Sequence, residues 1–220
     1  MFPWLKLERS RAKSSTPFPV QAALESIRYV VLDTELTSLN KRSNRLLSIG
    51  AIAMDGPRIR LGEQFYRVVN SGVAVPAETV LIHKLRPEDV ANGEPLPKAL
   101  DELRKFVASA VLVGHFVGID LKILRKEMAG TGHKLNNPAV DTARMHHWLL
   151  RQGRYTEDLS VRLEKLDLES VAKTHGLDLE DPHHALHDAF LTARVWQKMM
   201  HLAQGKGVRT LGDLLRIAGA

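Results

Sequence analysis

Two runs of apolar residues constrain this chain more than anything else in it. "IRYVVLD" (27–33) and "LLSIGAIAM" (46–54) are short, rich in β-branched residues and nearly continuous rather than alternating. A strand that is apolar on both sides must be covered on both sides, so these predict central strands of a sheet sandwiched between helices. "RIRLGEQFYRVV" alternates well enough for a third strand, and "AVLVGH" and "PAVDT" supply a fourth and fifth. Helical spacing marks "PKALDELRKFVAS", "DLKILRKEMAG" (ending at Gly130), "ARMHHWLLRQ", "LESVAKTHG" and "HHALHDAFLTARVWQKMMHL". Three strands followed by alternating helices and strands predict one α/β domain with a mixed sheet.

That domain spans 27–204. Residues 1–26 mix Pro, Ser and basic residues; Lys6, Arg9, Arg11 and Lys13 face only Glu8. They are expected to form a basic, flexible arm with a short helix near Gln21–Ser26. Residues 205–220 are expected to form a short amphipathic C-terminal helix, from "TLGDLLRIAGA".

Composition removes several chemistries. With no cysteine there is no disulfide, thiolate zinc site or cysteine nucleophile. No apolar run approaches the roughly 18 residues that cross a bilayer, so no membrane partner is expected and the cytoplasm is the default compartment. A net charge of +6 and a pI near 9.6 favour an anionic partner, nucleic acid first.

The first apolar run ends on "DTE". Residues at i and i+2 of a strand share a face, so Asp33 and Glu35 point to the same side. At the C-terminal end of a strand in an α/β sheet, that is where ligand crevices form. Two clustered carboxylates repel unless protonated or neutralised, and hard divalent ions such as Mg²⁺ or Mn²⁺ suit an all-oxygen site. Alone, one acid could cap a turn and the other be solvated. Asp120 follows another apolar strand at a helix start, and Asp188 lies in an amphipathic helix beside His183, His184 and His187. Each has an innocent explanation in capping or surface placement, but their joint arrangement is harder to dismiss.

Together these stretches resemble the DnaQ-like 3′–5′ exonucleases of the DEDDh branch, a family that includes the proofreading exonucleases of the DNA polymerase III epsilon type. "DTELTSLNKRSNRLLSIGAI" looks like the first motif, "GHFVGIDLKIL" the second and "HHALHDA" the third, with "VPAETVLIHKLRPEDV" similar to a further family segment between the first and second. The motifs run in family order from about Ile27 to His201. The resemblance implies a ribonuclease H-like five-stranded mixed sheet flanked by helices, with the second strand antiparallel to the rest. It implies that Asp33, Glu35, Asp120 and Asp188 hold two divalent cations, Mg²⁺ or Mn²⁺, and that His183 is the general base. The implied reaction releases nucleoside 5′-monophosphates from a single-stranded nucleic-acid 3′ end, DNA ahead of RNA. A DNA polymerase or other replication or repair protein is the implied protein partner.

The chemistry suits those residue types. Two ions roughly 4 Å apart stabilise the entering and leaving oxygens of a phosphodiester together. A histidine titrating near ~6.5 takes a proton from the attacking water at neutral pH. Leu36, Thr37, His83 and Phe116 fall on the expected substrate side, and Lys41, Arg42 and Arg45 after the first motif either grip phosphates or belong to a solvated loop. Leu36 and Ser38 stand where the family has Thr and Gly, Phe116 where it has Asn, Ile119 where it has Phe, and Lys84 and Arg86 where it has Gly and Thr. None is an expected metal ligand, so the departures bear on substrate rather than reaction. Two alternatives stay open: an exonuclease of RNA or oligoribonucleotides, and a silent nucleic-acid-binding or polymerase-associated subunit of the same fold. For His183 and His184, helix geometry favours His184, which is i, i+4 to Asp188. The family spacing favours His183, which "DPHH" would place at a helix mouth, with Asp181 capping and Pro182 in the first turn.

Overall fold

The computed structural model describes residues 18–38, 44–73, 75–153, 166–178 and 183–220. Lys41, Arg42, Asp181 and Pro182 therefore lie outside the described residues, as does the arm before Phe18.

The sheet is built as the apolar runs require. β1 (Arg28–Leu36), β2 (Leu46–Asp55), β3 (Arg58–Asn70), β4 (Glu94–Pro95), β5 (Val111–Gly114) and β6 (Ala139–Asp141) lie in the order β4-β3-β2-β1-β5-β6. β2 is antiparallel to β1 and β3, while β1, β5 and β6 run parallel, as do β3 and β4. The second strand thus opposes all the others, as expected. The sheet has six strands rather than five. The extra one, β4, is two residues long and contains a proline, too short to carry a period in the sequence.

Every residue of β2 except Asp55 is buried, which explains its continuous apolar run. Along β1 the side chains alternate between two cores. Tyr29 and Val31 pack under α5 (Thr142–Arg151), α7 (Ala185–Gln204) and α8 (Leu211–Ala218); Val30 and Leu32 pack under α3 (Leu96–Val107) and α4 (Gly118–Gly130). The first core is anchored by Trp196, fully buried on α7, with its ring edge-on to Tyr29 at 5.7 Å between centroids. In α3, Ala99, Leu100, Leu103 and Val107 are the buried stripe, at the spacing that puts one helix face on the sheet.

α6 (Leu168–Thr174) precedes α7. Two further helices, α1 (Ala77–His83) and α2 (Pro87–Ala91), fold from "VPAETVLIHKLRPEDV". Seven and five residues are too few to show a helical period, and they are held by packing: Val80 and Leu85 join Leu47, Val75 and Val90 in a small satellite core. At the start of the chain, the described part of the expected arm packs onto the domain. Leu24, in a 3₁₀ turn at Leu24–Ser26, is 1 % exposed, and its N–H donates to the Arg209 carbonyl. α8 is fixed by a reciprocal Thr210–Asp213 capping box, and its exit, Gly219, bridges to Val140 of β6. Among the described residues no helix is long and apolar enough to cross a membrane.

Candidate active site

The acids gather at the C-terminal end of β1, and the alternation of the strand decides from which side. Asp33 and Glu35 continue the Tyr29–Val31 face, toward α7. Asp188 stands in the first turn of α7 and is 8 % exposed. Asp120 comes from the other layer, in the first turn of α4. Thr34 faces that layer, and its hydroxyl donates to Asp120 Oδ1 at 2.6 Å, which fixes the carboxylate at the strand end. Asp120 is not the helix cap, since the residue before α4 is Val117, so capping does not explain it. Directly after Glu35 the β1–β2 register shifts, a bulge of the kind that re-aims side chains at strand ends.

Electrostatics shows how closely the acids are set. Asp33 is pushed well above the ordinary carboxylate range, by loss of water first and then by Asp120, Glu35 and Asp188. Glu35 rises to about 7, from burial and then the charges of Asp188 and Asp120. Asp120 also rises to about 7; burial outweighs the hydrogen bond from Thr34 that opposes it. No lysine or arginine among the described residues forms an ion pair with Asp33, Glu35 or Asp120. Uncompensated clustered carboxylates with only hard oxygen donors fit divalent cations, which would supply the missing positive charge.

His183 completes the cluster. It sits outside the helix, exposed, with φ of 65°, and its N–H donates to Asp188 Oδ2 at 3.0 Å. Ligand-type atoms of Glu35, His183 and Asp188 all lie within 4.8 Å of one another. α7 begins at Ala185, two residues later than the period of the sequence indicates, so His183 is free of helical side-chain directions. His184 occupies the cap position, and its ring stacks on Tyr66 of β3 at 4.6 Å and lies 4.2 Å from that of His187. The i, i+4 argument for His184 therefore fails on its premise: neither histidine is helical.

The expected substrate-side residues divide. His83 is 4 % exposed; its Nδ1 accepts from the Leu85 N–H at 3.1 Å, and burial, with a smaller part from the charge of His183, lowers its pKa. Phe116 adopts a left-handed φ of 51°, a conformation asparagine tolerates more readily, and its N–H donates to Asp141 Oδ1 at 3.2 Å. Asp141 also caps α5 by accepting the Ala143 N–H. Leu36 packs against the α3–α4 core. The Thr37 hydroxyl accepts from the Arg45 N–H at 3.0 Å, closing the loop, and Arg45 Nη1 donates to the Asn44 carbonyl.

Sequence reasoning passed over Gly50. It pairs with Asp33 across β1–β2, and a Cβ there would lie 2.2 Å from the backbone of Ala185 and Leu186. Only a glycine lets the start of α7 press this closely on β2, and that contact carries Asp188 to Asp33. A glycine inside an apolar strand is the signal that marks such an approach.

A ribonuclease H-like sheet with acids from β1, α4 and α7 converging at one strand end defines a nuclease class. Within it, the chain belongs to the RNase_T family of exonucleases, which it matches over residues 30–196. It is 29 % identical over 210 residues to the PolC-type DNA polymerase III of Clostridium perfringens, covering 92 % of this chain and 14 % of that one. With the DNA polymerase III subunit epsilon of Aquifex aeolicus it shares 25 % identity, over 78 % of this chain and 80 % of the relative. The chain thus spans a small part of the polymerase-type relatives and most of the epsilon-type one. The nuclease domain of 3′hExo, a DEDDh family member bound to rAMP, superposes with TM-score 0.66 at 12 % identity, covering 79 % of this chain and 92 % of that one. Escherichia coli exonuclease I in complex with a dT13 oligonucleotide gives TM-score 0.68 at 15 % identity, over 82 % and 42 %.

Proposed function

We propose that this chain is a DEDDh-type 3′–5′ exonuclease that releases nucleoside 5′-monophosphates, with DNA as its substrate. The observation that carries the reading is the convergence of Asp33, Glu35, Asp120, Asp188 and His183 at one strand end. In it the four carboxylates hold two divalent cations, Mg²⁺ or Mn²⁺. Bound there, the cations supply charge neutralisation for the phosphodiester and its leaving oxygen. Thr34 orients Asp120, and Asp188 holds the His183 backbone, so that the imidazole can accept the proton of the attacking water. His83 and Phe116 flank the terminal nucleotide. DNA is favoured by relatives that are DNA polymerase III chains, which also support a replication or repair polymerase as partner.

The test is one gel. A 5′-labelled single strand, a mismatched duplex and an RNA are incubated with Mg²⁺, with Mn²⁺ and with EDTA. A ladder shortening from the 3′ end, present with either metal and absent in EDTA, is expected on the DNA strands. Degradation of RNA alone transfers the substrate to RNA, and undiminished cleavage in EDTA or by Asp33→Ala refutes the two-ion reading.

A further inference from the structure

Beyond the acid cluster, α5 carries Arg144, His147, Trp148 and Arg151 at i, i+3, i+4 and i+7, one stripe of the helix. With Gln152 and Ile217 of α8 they line an open groove of about 630 Å³. Among the described residues no carboxylate lines it and neither arginine forms an ion pair. Arg144 is held in place by donating to the Gly219 carbonyl, while among the described residues Arg151 has no such tether. Trp148 is half-buried, packed against the core beneath, and stacks on no other ring among the described residues.

The helix that lines the groove begins beside the active-site loops: its cap, Asp141, accepts the N–H of Phe116 in the second-motif loop as well as that of Ala143. β6 lies two strands from β1, about 10 Å across the sheet. Trp148 is seven residues beyond Asp141, about 10 Å along the helix. Resting on the exonuclease reading, we propose that this groove binds the single-stranded part of the substrate upstream of the cleaved end. The indole supplies a face for a base, and guanidiniums one turn away on either side meet phosphates. An acidic peptide would use the arginines and leave the indole idle, whereas a strand uses both. Base–aromatic stacking and guanidinium–phosphate pairing are the two contacts from which sequence-tolerant single-strand sites are made.

The test separates binding from cleavage. Anisotropy of a labelled 20-nucleotide DNA strand in EDTA should show the dissociation constant rising about tenfold in each of Trp148→Leu and Arg151→Gln. Tryptophan fluorescence should be quenched by the strand in the wild type and not in Trp148→Leu. With metal, the 20-mer KM should rise similarly at unchanged kcat, while turnover of a dinucleotide, too short to reach the groove, stays within twofold. Unchanged affinity in both variants overturns the proposal, as does an equal loss on the dinucleotide. Displacement of the strand by poly-glutamate as effectively as by unlabelled DNA, without quenching, assigns the groove to an acidic protein and also overturns it. If the wild type cleaves nothing, the exonuclease reading falls while anisotropy still judges the groove.

Discussion

Glu35→Gln should make the metal-free protein more stable while destroying its capacity to gain from metal. In the folded chain Glu35 is raised from 4.5 to about 7, chiefly by burial, then by Asp188 and Asp120. A folded-state pKa above the unfolded one means the charged form is disfavoured by folding. The penalty is absent below pH 4.5, where both states are protonated, grows as pH rises, and is complete above about 7. At about 1.4 kcal/mol per pH unit, the interval of about 2.5 corresponds to about 3 kcal/mol at pH 8 for a rigid site. Small movements of the neighbouring carboxylates absorb part of this, so a gain of 1 kcal/mol or more is the expectation. For a chain of this size that is about 2–4 °C in Tm per kcal/mol. Thermal unfolding of wild type and Glu35→Gln in EDTA should therefore coincide at pH 4.5 and separate by pH 8, the variant unfolding higher. Adding millimolar Mg²⁺ or Mn²⁺ at pH 8 should raise the wild type by mass action and the variant much less, closing or reversing the gap. A variant less stable than wild type in EDTA at pH 8, or a gap independent of pH, would refute the electrostatic account of the cluster.

The two histidines should separate in kinetics. His183→Ala is expected to lower kcat about 10²–10⁴-fold, with Mn²⁺ binding retained by calorimetry. His184→Ala, losing the stack on Tyr66, should cost about 1 kcal/mol of stability in denaturant titration and less than tenfold in kcat; the reverse ranking would reassign the base. Gly50→Ala should drive the start of α7 from β2, lowering Tm and cutting turnover about a hundredfold in a protein whose circular dichroism stays native. A Gly50→Ala enzyme at wild-type rate would show that this approach does not position Asp188.

What the sequence made legible was whatever rests on a short period or a local motif. The unbroken apolar character of β2 and the i, i+2 placement of Asp33 and Glu35 needed only the geometry of a strand, and both stand in the fold. Asp120 and Asp188 were found because each follows a recognisable strand or helix signal. α1 and α2 escaped because their helicity comes from packing on Leu47, Val75 and Val90, contacts remote in the chain. Gly50 escaped for a related reason. Its significance is a distance to Ala185, 135 residues on, and nothing near it in sequence announces that neighbour. Thr37 resembles a substrate contact by position, but its hydroxyl is committed to the Arg45 backbone, a fact of loop closure that motif spacing does not encode.

The site divides its labour between rigid and loose backbone, and the division follows from what each group must do. In the proposed two-ion site the oxygens would have to stay in place against their own repulsion, because relaxation by a fraction of an ångström would spread the charge. Asp33 and Glu35 are on a central strand, where their own stretch pairs with β2, and Asp120 and Asp188 are in the first turns of helices packed on opposite faces of the sheet. Asp120 is held further by Thr34, from the one strand position between the two acids that faces its layer. A proton acceptor needs reach rather than fixity. His183, the base in the proposed reaction, has it: an exposed ring on a left-handed residue outside the helix, anchored at its backbone N–H to Asp188. Strain of that kind at a non-glycine residue costs of order 1–3 kcal/mol and persists only where the surroundings enforce it. Here the enforcing contact is Asp188 itself, so the same side chain that would ligate metal also sets where the base can swing.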